Sequence, residues 1–227
     1  MKSYLVIVLA VTLLAFGLAC SSDTEEARTD EAGVEMAAEK KPVVEERTAK
    51  VGEMAPNFVL TDTEGKKYAL ENFEGKYVIL EWINFDCPFV QKHYKSGNMQ
   101  ELQETYKAEG AVWLTICSSA PGKQGHFEGE ALKNRMEKEK WNGTAYLIDE
   151  SGKVGKIYQA KTTPHMYIIN PEGMLIYAGA IDDKPSTNVD DIPESNNYVK
   201  QAMSASMAGE EVPVKTTVAY GCSVKYQ

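Results

Sequence analysis

Short apolar runs separated by charged helical stretches set the order of elements along this chain. Ala55-Pro56-Asn57-Phe58-Val59-Leu60 and Lys67-Tyr68-Ala69-Leu70 flank Asp62-Thr63-Glu64-Gly65, a pattern that predicts a hairpin with glycine near its turn. Tyr77-Val78-Ile79-Leu80 is rich in strand formers and runs on through Glu81-Trp82-Ile83-Asn84-Phe85-Asp86 to Cys87-Pro88. Pro88 suits the first turn of a helix, where its missing N–H would have no partner anyway. Helical character then continues to about Ala108, with a break at Ser96-Gly97-Asn98. Ala111 to Cys117 is apolar and reads as a buried strand, Glu128 to Lys140 as a charged surface helix, Tyr146 to Ile148 as a short strand and Lys153 to Tyr158 as a short helix. Met166 to Asn170 and Met174 to Ala178 are strands joined across Pro171-Glu172-Gly173, a turn of the Pro-then-Gly kind, and Asn197 to Met207 is a closing helix. The order is β-α-β-α, an added β-α, then β-β-α. It predicts an α/β fold with a parallel half and an antiparallel half in one sheet.

The ends depart from this pattern. Met1 to Ala19 reads as a secretory signal, with Lys2 as its basic end and an apolar run from Tyr4 to Phe16 that is too short for a stable membrane span. Gly17-Leu18-Ala19-Cys20 fits ordinary signal peptidase and also fits a bacterial lipoprotein whose first residue, Cys20, is lipidated; the second is favoured because it accounts for a cysteine at the cleavage point. Lipidation would hold the exported protein on the membrane of the cell envelope. Residues 20–50, acidic and without aromatic side chains, read as a flexible tether. Residues 51–209 are long enough for one domain, and 210–227 form a tail that carries Cys222. A formal charge of −9 offers no basic face to nucleic acid.

Cys87 is the candidate nucleophile. At the start of a helix, unpaired N–H groups and the positive end of the dipole stabilise a thiolate, although the carboxylate of Asp86 opposes it. With Cys117 and Cys222 the exported domain holds three cysteines, so at most one internal disulfide can form and one thiol is left over. In an oxidising compartment an odd count suits redox chemistry better than stapling. Cys117, at the end of an apolar strand, reads as a buried small residue that could also pair with Cys87. His93, off the Cys87 face of its helix, and Lys92 and Lys95 read as solvated.

Strand, Cys87-Pro88 at a helix start, strand, helix, Thr163-Pro164, hairpin and helix resemble the thioredoxin fold, and Val51-Gly52-Glu53-Met54-Ala55-Pro56-Asn57-Phe58 resembles the opening of its redoxin and peroxiredoxin (AhpC/TSA-like) branch. More narrowly, Cys87-Pro88-Phe89-Val90-Gln91-Lys92-His93-Tyr94, Ser118-Ser119-Ala120-Pro121-Gly122, Thr163-Pro164-His165-Met166, Gly179-Ala180-Ile181-Asp182-Asp183 and Tyr220-Gly221-Cys222-Ser223-Val224-Lys225-Tyr226 are similar to bacterial peroxiredoxin-like thioredoxin-family proteins. The resemblance implies a mixed central sheet flanked by helices, with an N-terminal hairpin and a β-α insertion before the cis-proline strand. It implies that Thr163-Pro164 is that cis-proline, facing Cys87 across a groove and leaving the preceding backbone free to pair with a thiol partner. Trp82, Pro88 and His165 would line the site; from the residues alone an ordinary strand histidine is the favoured reading of His165, and core packing explains Trp82 equally well.

The second cysteine of a thioredoxin Cys-x-x-Cys is missing, because Val90 stands in its place. Val90 also stands where a peroxiredoxin carries its peroxide-reducing cysteine, with Cys87 in the place of its threonine. Thiol–disulfide exchange through Cys87 is therefore the expected activity, on protein or small-molecule thiols and disulfides, without a cofactor. Cys222 is the candidate distant resolving thiol; it could equally remain unpaired or serve another protein. The alternatives are a weak thiol-dependent peroxidase and a non-catalytic binding or metal-handling module. Copper-handling members of the fold carry another cysteine four residues before Cys-Pro, where Ile83 stands here, so no metal ligand is assigned.

Overall fold

Val59–Asp62 (β1) and Lys67–Ala69 (β2) pair antiparallel around a turn that Asp62 ties. Its Oδ1 accepts the backbone N–H of Glu64 at 2.8 Å and of Lys66 at 3.0 Å. The computed structural model describes residues 47–227, all within the unit Lys40–Gln227. The expected signal Met1 to Ala19, Cys20 and the expected tether as far as residue 46 lie outside the described residues. Ala49 already belongs to the packed domain, donating to the Ile157 carbonyl at 2.9 Å.

Val78–Trp82 (β3) is buried at every position and forms the spine of the sheet. Next come helices Pro88–Lys95 (α1) and Asn98–Ala108 (α2), strand Val112–Cys117 (β4), helix Gly129–Lys138 (α3), strand Ala145–Ile148 (β5) and helix Lys153–Ile157 (α4). Strands Thr162–Thr163 (β6), His165–Ile169 (β7) and Leu175–Gly179 (β8), helix Tyr198–Met207 (α5) and strand Cys222–Ser223 (β9) complete the chain. The main sheet runs β2-β1-β5-β4-β3-β7-β8. β3, β4 and β5 are mutually parallel, whereas β7 joins β3, and β8 joins β7, antiparallel. This is the expected thioredoxin-like layout, with the N-terminal hairpin added beyond β5 and β5-α4 inserted before the cis-proline.

Alternation along β3 divides the core between the two sheet faces. Ile79, Trp113 and Ile168 pack with Val90, Leu102 and Met203 from α1, α2 and α5. Val78, Leu80 and Trp82 pack on the other face with Phe58, Leu147 and Tyr158. Helix and strand boundaries fall close to those expected, because the elements are carried by local period and by turn residues.

The tail does not hang free after α5. The Thr217 hydroxyl oxygen accepts the Ala180 N–H at 2.8 Å, β9 pairs with β6, and the Tyr226 hydroxyl donates to the Ala160 carbonyl at 2.7 Å. Tyr226 lies across Gly155, where a side chain would overlap it. The tail is a strap over the C-terminal ends of the parallel strands, the end of an open sheet at which ligand sites form.

Candidate active site

Cys87 stands at the N-cap of α1 with extended backbone (φ −80°, ψ 124°), and Pro88 opens the helix. Asn84 shapes the approach. Its Oδ1 accepts the Asp86 N–H at 2.8 Å and its backbone carbonyl accepts the Cys87 N–H at 2.9 Å. From α3, Arg135 reaches Asp86 at 2.9 Å and donates to the Phe85 carbonyl at 2.6 Å. The negative charge that the sequence sets beside the thiol is therefore neutralised by a cation from a helix read as merely superficial.

The Thr163–Pro164 peptide bond is cis. The Thr163 carbonyl accepts the Cys87 Sγ–H at 3.1 Å, and the Cys222 backbone N–H points at the same sulfur at 3.4 Å. Cys87 lies between the cis-proline strand and the strap and has no exposed surface, whereas Cys222 is partly exposed. The expectation of free backbone ahead of Pro164 is corrected: Thr162 and Thr163 are paired with Ser223 and Cys222 of the chain itself. The close approach depends on Gly221, whose φ of +138° favours glycine and where a Cβ would overlap the Thr163 carbonyl. Both thiols are free here. Burial, with the hydrogen bond and charge of Cys87 added, pushes the Cys222 thiol up to about 12.

The other expected residues fall elsewhere. Trp82 is fully buried on the face opposite the α1 core, against Tyr158 and Tyr167, and its indole N–H donates to Ser118 at 3.0 Å. Its side of the strand makes it a core residue. His165 stacks on Tyr167 at 4.5 Å between ring centroids, and burial, followed by the charge of Lys161, lowers it to about 4. Cys117 is buried, donates toward the Gly125 carbonyl at 3.4 Å, and burial raises its thiol.

Two expectations of solvation are overturned. Lys92 is buried, paired with Asp182 at 3.1 Å and donating to the Lys184 carbonyl at 2.7 Å. His93 is buried beside it, with Nδ1 2.9 Å from the Asn98 amide nitrogen and Nε2 3.3 Å from the Tyr220 hydroxyl. Lys95 is exposed as expected. Helical period alone misplaces Lys92 and His93, because the segment after β8 and the strap cover that side of α1.

A buried carboxylate also went unnoticed in the sequence. Glu81 accepts from Trp113 at 2.8 Å, Tyr94 at 2.9 Å, Thr115 at 3.1 Å and Gln103 at 3.2 Å. Burial raises its pKa while these donors oppose the shift. Among the described residues, His126, Glu128 and Glu150 bring three ligand atoms within 4.8 Å of one another at the surface. His126 lies 3.3 Å from Glu128 and 3.8 Å from Glu150, the spacing of ordinary ion pairs.

Residues 51–178 match the family described as AhpC/TSA. The chain belongs to the AhpC/TSA family. This AhpC/TSA-family protein is 38% identical over 128 residues to the thiol-disulfide oxidoreductase ResA of Bacillus anthracis, a match that spans 56% of this chain and 67% of the relative. It is 29% identical over 131 residues to ResA of Bacillus thuringiensis subsp. konkukian, across 58% of this chain and 70% of the relative. Among solved structures it is similar to an uncharacterized conserved protein from Geobacillus kaustophilus, with a TM-score of 0.67, 27% identity and coverage of 78% of this chain and 93% of the other. A hypothetical protein from Sinorhizobium meliloti 1021 shares the fold at a TM-score of 0.64 and 24% identity, covering 80% of this chain and 97% of the other. The AhpC/TSA-family protein described here departs from a peroxidase pattern at Val90, a buried core residue of α1 that offers no thiol.

Proposed function

We propose that this protein is a thiol–disulfide oxidoreductase that works through Cys87 and Cys222. The observation that carries the reading is the seam of β6 and β9, which sets the Cys222 backbone on the Cys87 sulfur. Membership of the AhpC/TSA family and similarity to proteins named thiol-disulfide oxidoreductase support the same class of chemistry. In the first step the Cys87 thiolate attacks a substrate disulfide, forming a mixed disulfide and expelling one substrate thiolate. Cys222, losing its proton as it reacts, then attacks the Cys87 sulfur and releases the second substrate thiolate. The substrate gains two electrons, the protein is left with a Cys87–Cys222 disulfide, and an external thiol returns it to the reduced form. Thr163 and Pro164 bound the sulfur on one side, and the Thr163 carbonyl accepts the Cys87 Sγ–H in the resting protein, before the thiolate forms.

The same reading puts the domain outside the cytoplasm, lipid-anchored through Cys20 to the cell envelope, with thiol or disulfide partners there. Its support is the leader sequence; among the described residues no helix is long and apolar enough to cross a membrane.

Mass spectrometry of the protein taken from cells without reduction should find acyl chains on Cys20 and a Cys87–Cys222 linkage. In vitro, the reduced protein should consume a small disulfide or a disulfide-bonded peptide faster than hydrogen peroxide. Cys87→Ser should abolish exchange, and Cys222→Ser should accumulate long-lived mixed disulfides at Cys87. A Cys222→Ser protein that releases its partners as fast as wild type would remove Cys222 from the mechanism, and rapid peroxide consumption would favour the peroxidase alternative.

A further inference from the structure

Tyr220 lies just ahead of Gly221 and Cys222, and its hydroxyl meets buried polar groups from distant parts of the chain. Lys92 and Asp182 have side chains with no exposed surface and pair at 3.1 Å. The Tyr220 hydroxyl donates to Asp182, and Lys92 Nζ reaches the same hydroxyl oxygen at 3.5 Å. His93, its Nδ1 occupied by Asn98, presents Nε2 to that oxygen at 3.3 Å. The Tyr220 ring packs edge-on to Phe89 at 5.8 Å and lies under the Lys92 ammonium at 5.6 Å.

Such a cluster is a poor source of stability. Taking two ions out of water costs several kcal/mol for each, and their attraction in the interior seldom leaves a surplus over well-packed apolar residues. What it supplies is position. Phe89, Lys92 and His93 all belong to α1, the helix that Cys87 caps, and Asp182 follows β8. Tyr220 is the strap's contribution. One rigid helix therefore fixes both Cys87 and, through Tyr220, the register of the strap that carries Cys222.

We propose that Tyr220 is a positioning residue, whose hydroxyl in the Asp182–Lys92–His93 cluster holds the strap in the register that closes Cys222 on Cys87. The inference rests on Cys87 and Cys222 being the redox pair. Without the hydroxyl the strap spends less time in register, so the effective concentration of the Cys222 thiol at Cys87 falls. The Cys87–Cys222 disulfide then becomes easier to reduce.

The test is the equilibrium of wild type and Tyr220→Phe with glutathione buffers of graded potential, together with alkylation of Cys87 and Cys117 in a Cys222→Ser background, resolved by peptide mass spectrometry. Tyr220→Phe should weaken the disulfide about tenfold, a shift of about 30 mV to more positive potential. It should also raise the alkylation rate of Cys87 while leaving that of Cys117 unchanged. A merely structural role for the hydroxyl would expose both thiols together, and that result overturns the proposal. An unchanged potential with the disulfide still forming overturns the positioning role and leaves the redox pair standing. A wild-type protein that forms no Cys87–Cys222 disulfide at any potential overturns both.

Discussion

At Gly221 a single missing methyl group decides whether two strands can meet. Its left-handed φ and its contact with the Thr163 carbonyl mean that alanine there would be strained in backbone and in space at once, at a cost of about 1–3 kcal/mol. Gly221→Ala should therefore slow closure of the Cys87–Cys222 disulfide by about tenfold or more, each factor of ten corresponding to about 1.4 kcal/mol. Single-turnover oxidation of the reduced protein, quenched with acid and read by mass spectrometry, measures this; closure at the wild-type rate would show that the seam tolerates a wider gap. At this scale the sequence revealed the residues whose chemistry is local. Cys87 before Pro88, and Thr163 before Pro164, announce themselves by their neighbours. Lys92, His93 and Tyr220 do not, because what makes them unusual is Asp182, an acid far along the chain that only folding brings to α1. Arg135 escaped for the same reason: its partner Asp86 sits on another element.

Among the elements, α1 has an unusual share of polar contacts for a helix packed against a sheet. Tyr94 donates to Glu81 on β3, and Lys92 holds Asp182 beyond β8. Removing one member of the second pair strands the other in a medium that cannot solvate it. Lys92→Met should cost about 3–5 kcal/mol, whereas the double variant Lys92→Met with Asp182→Leu should recover most of that loss. Urea unfolding of both singles and the double measures the coupling; simple additivity would mean that the two charges do not depend on each other. Regular elements were legible because period and turn chemistry are written into neighbouring residues, as in Pro171-Glu172-Gly173 between β7 and β8. β9 was not. Cys222–Ser223 is too short to carry any alternation, and it becomes a strand because Thr162–Thr163 offers it an edge. Reach was legible in the flexible flanks of Cys222, but the docked state of the strap depends on contacts at Thr217, Tyr220 and Tyr226 that no local pattern encodes.

The whole molecule carries its histidines in a way that acid should expose. Burial holds His93 and His165 down to about 4 each, against about 6.5 in an unfolded chain. Between those values the unfolded chain takes up protons that the folded protein refuses. Stability is therefore fully present above about pH 6.5 and falls as the pH drops toward 4, by up to about 3 kcal/mol per histidine. Glu81 and Asp149, which burial raises, take up their protons at higher pH in the folded state than in the unfolded chain and so offset part of that loss at the acid end. Urea midpoints from pH 7 to pH 4.5 should fall, less steeply in His165→Gln, and the ring NMR signals of His93 and His165 should stay constant from pH 8 to pH 5.5. Either of these two rings titrating near 6.5 would contradict this account. The seam of β6 and β9 has a kinetic consequence as well. A tethered strand meets its edge at an effective concentration in the millimolar range for short flexible linkers, so any polypeptide that offers its own strand to Thr162–Thr163 competes with a rival that never diffuses away. Weakly binding chains lose that contest, while a compact disulfide needs only a brief opening at the sulfur. If exchange runs through Cys87 as proposed, the strap would sort reaction partners by how firmly they can hold the edge, before any bond is exchanged.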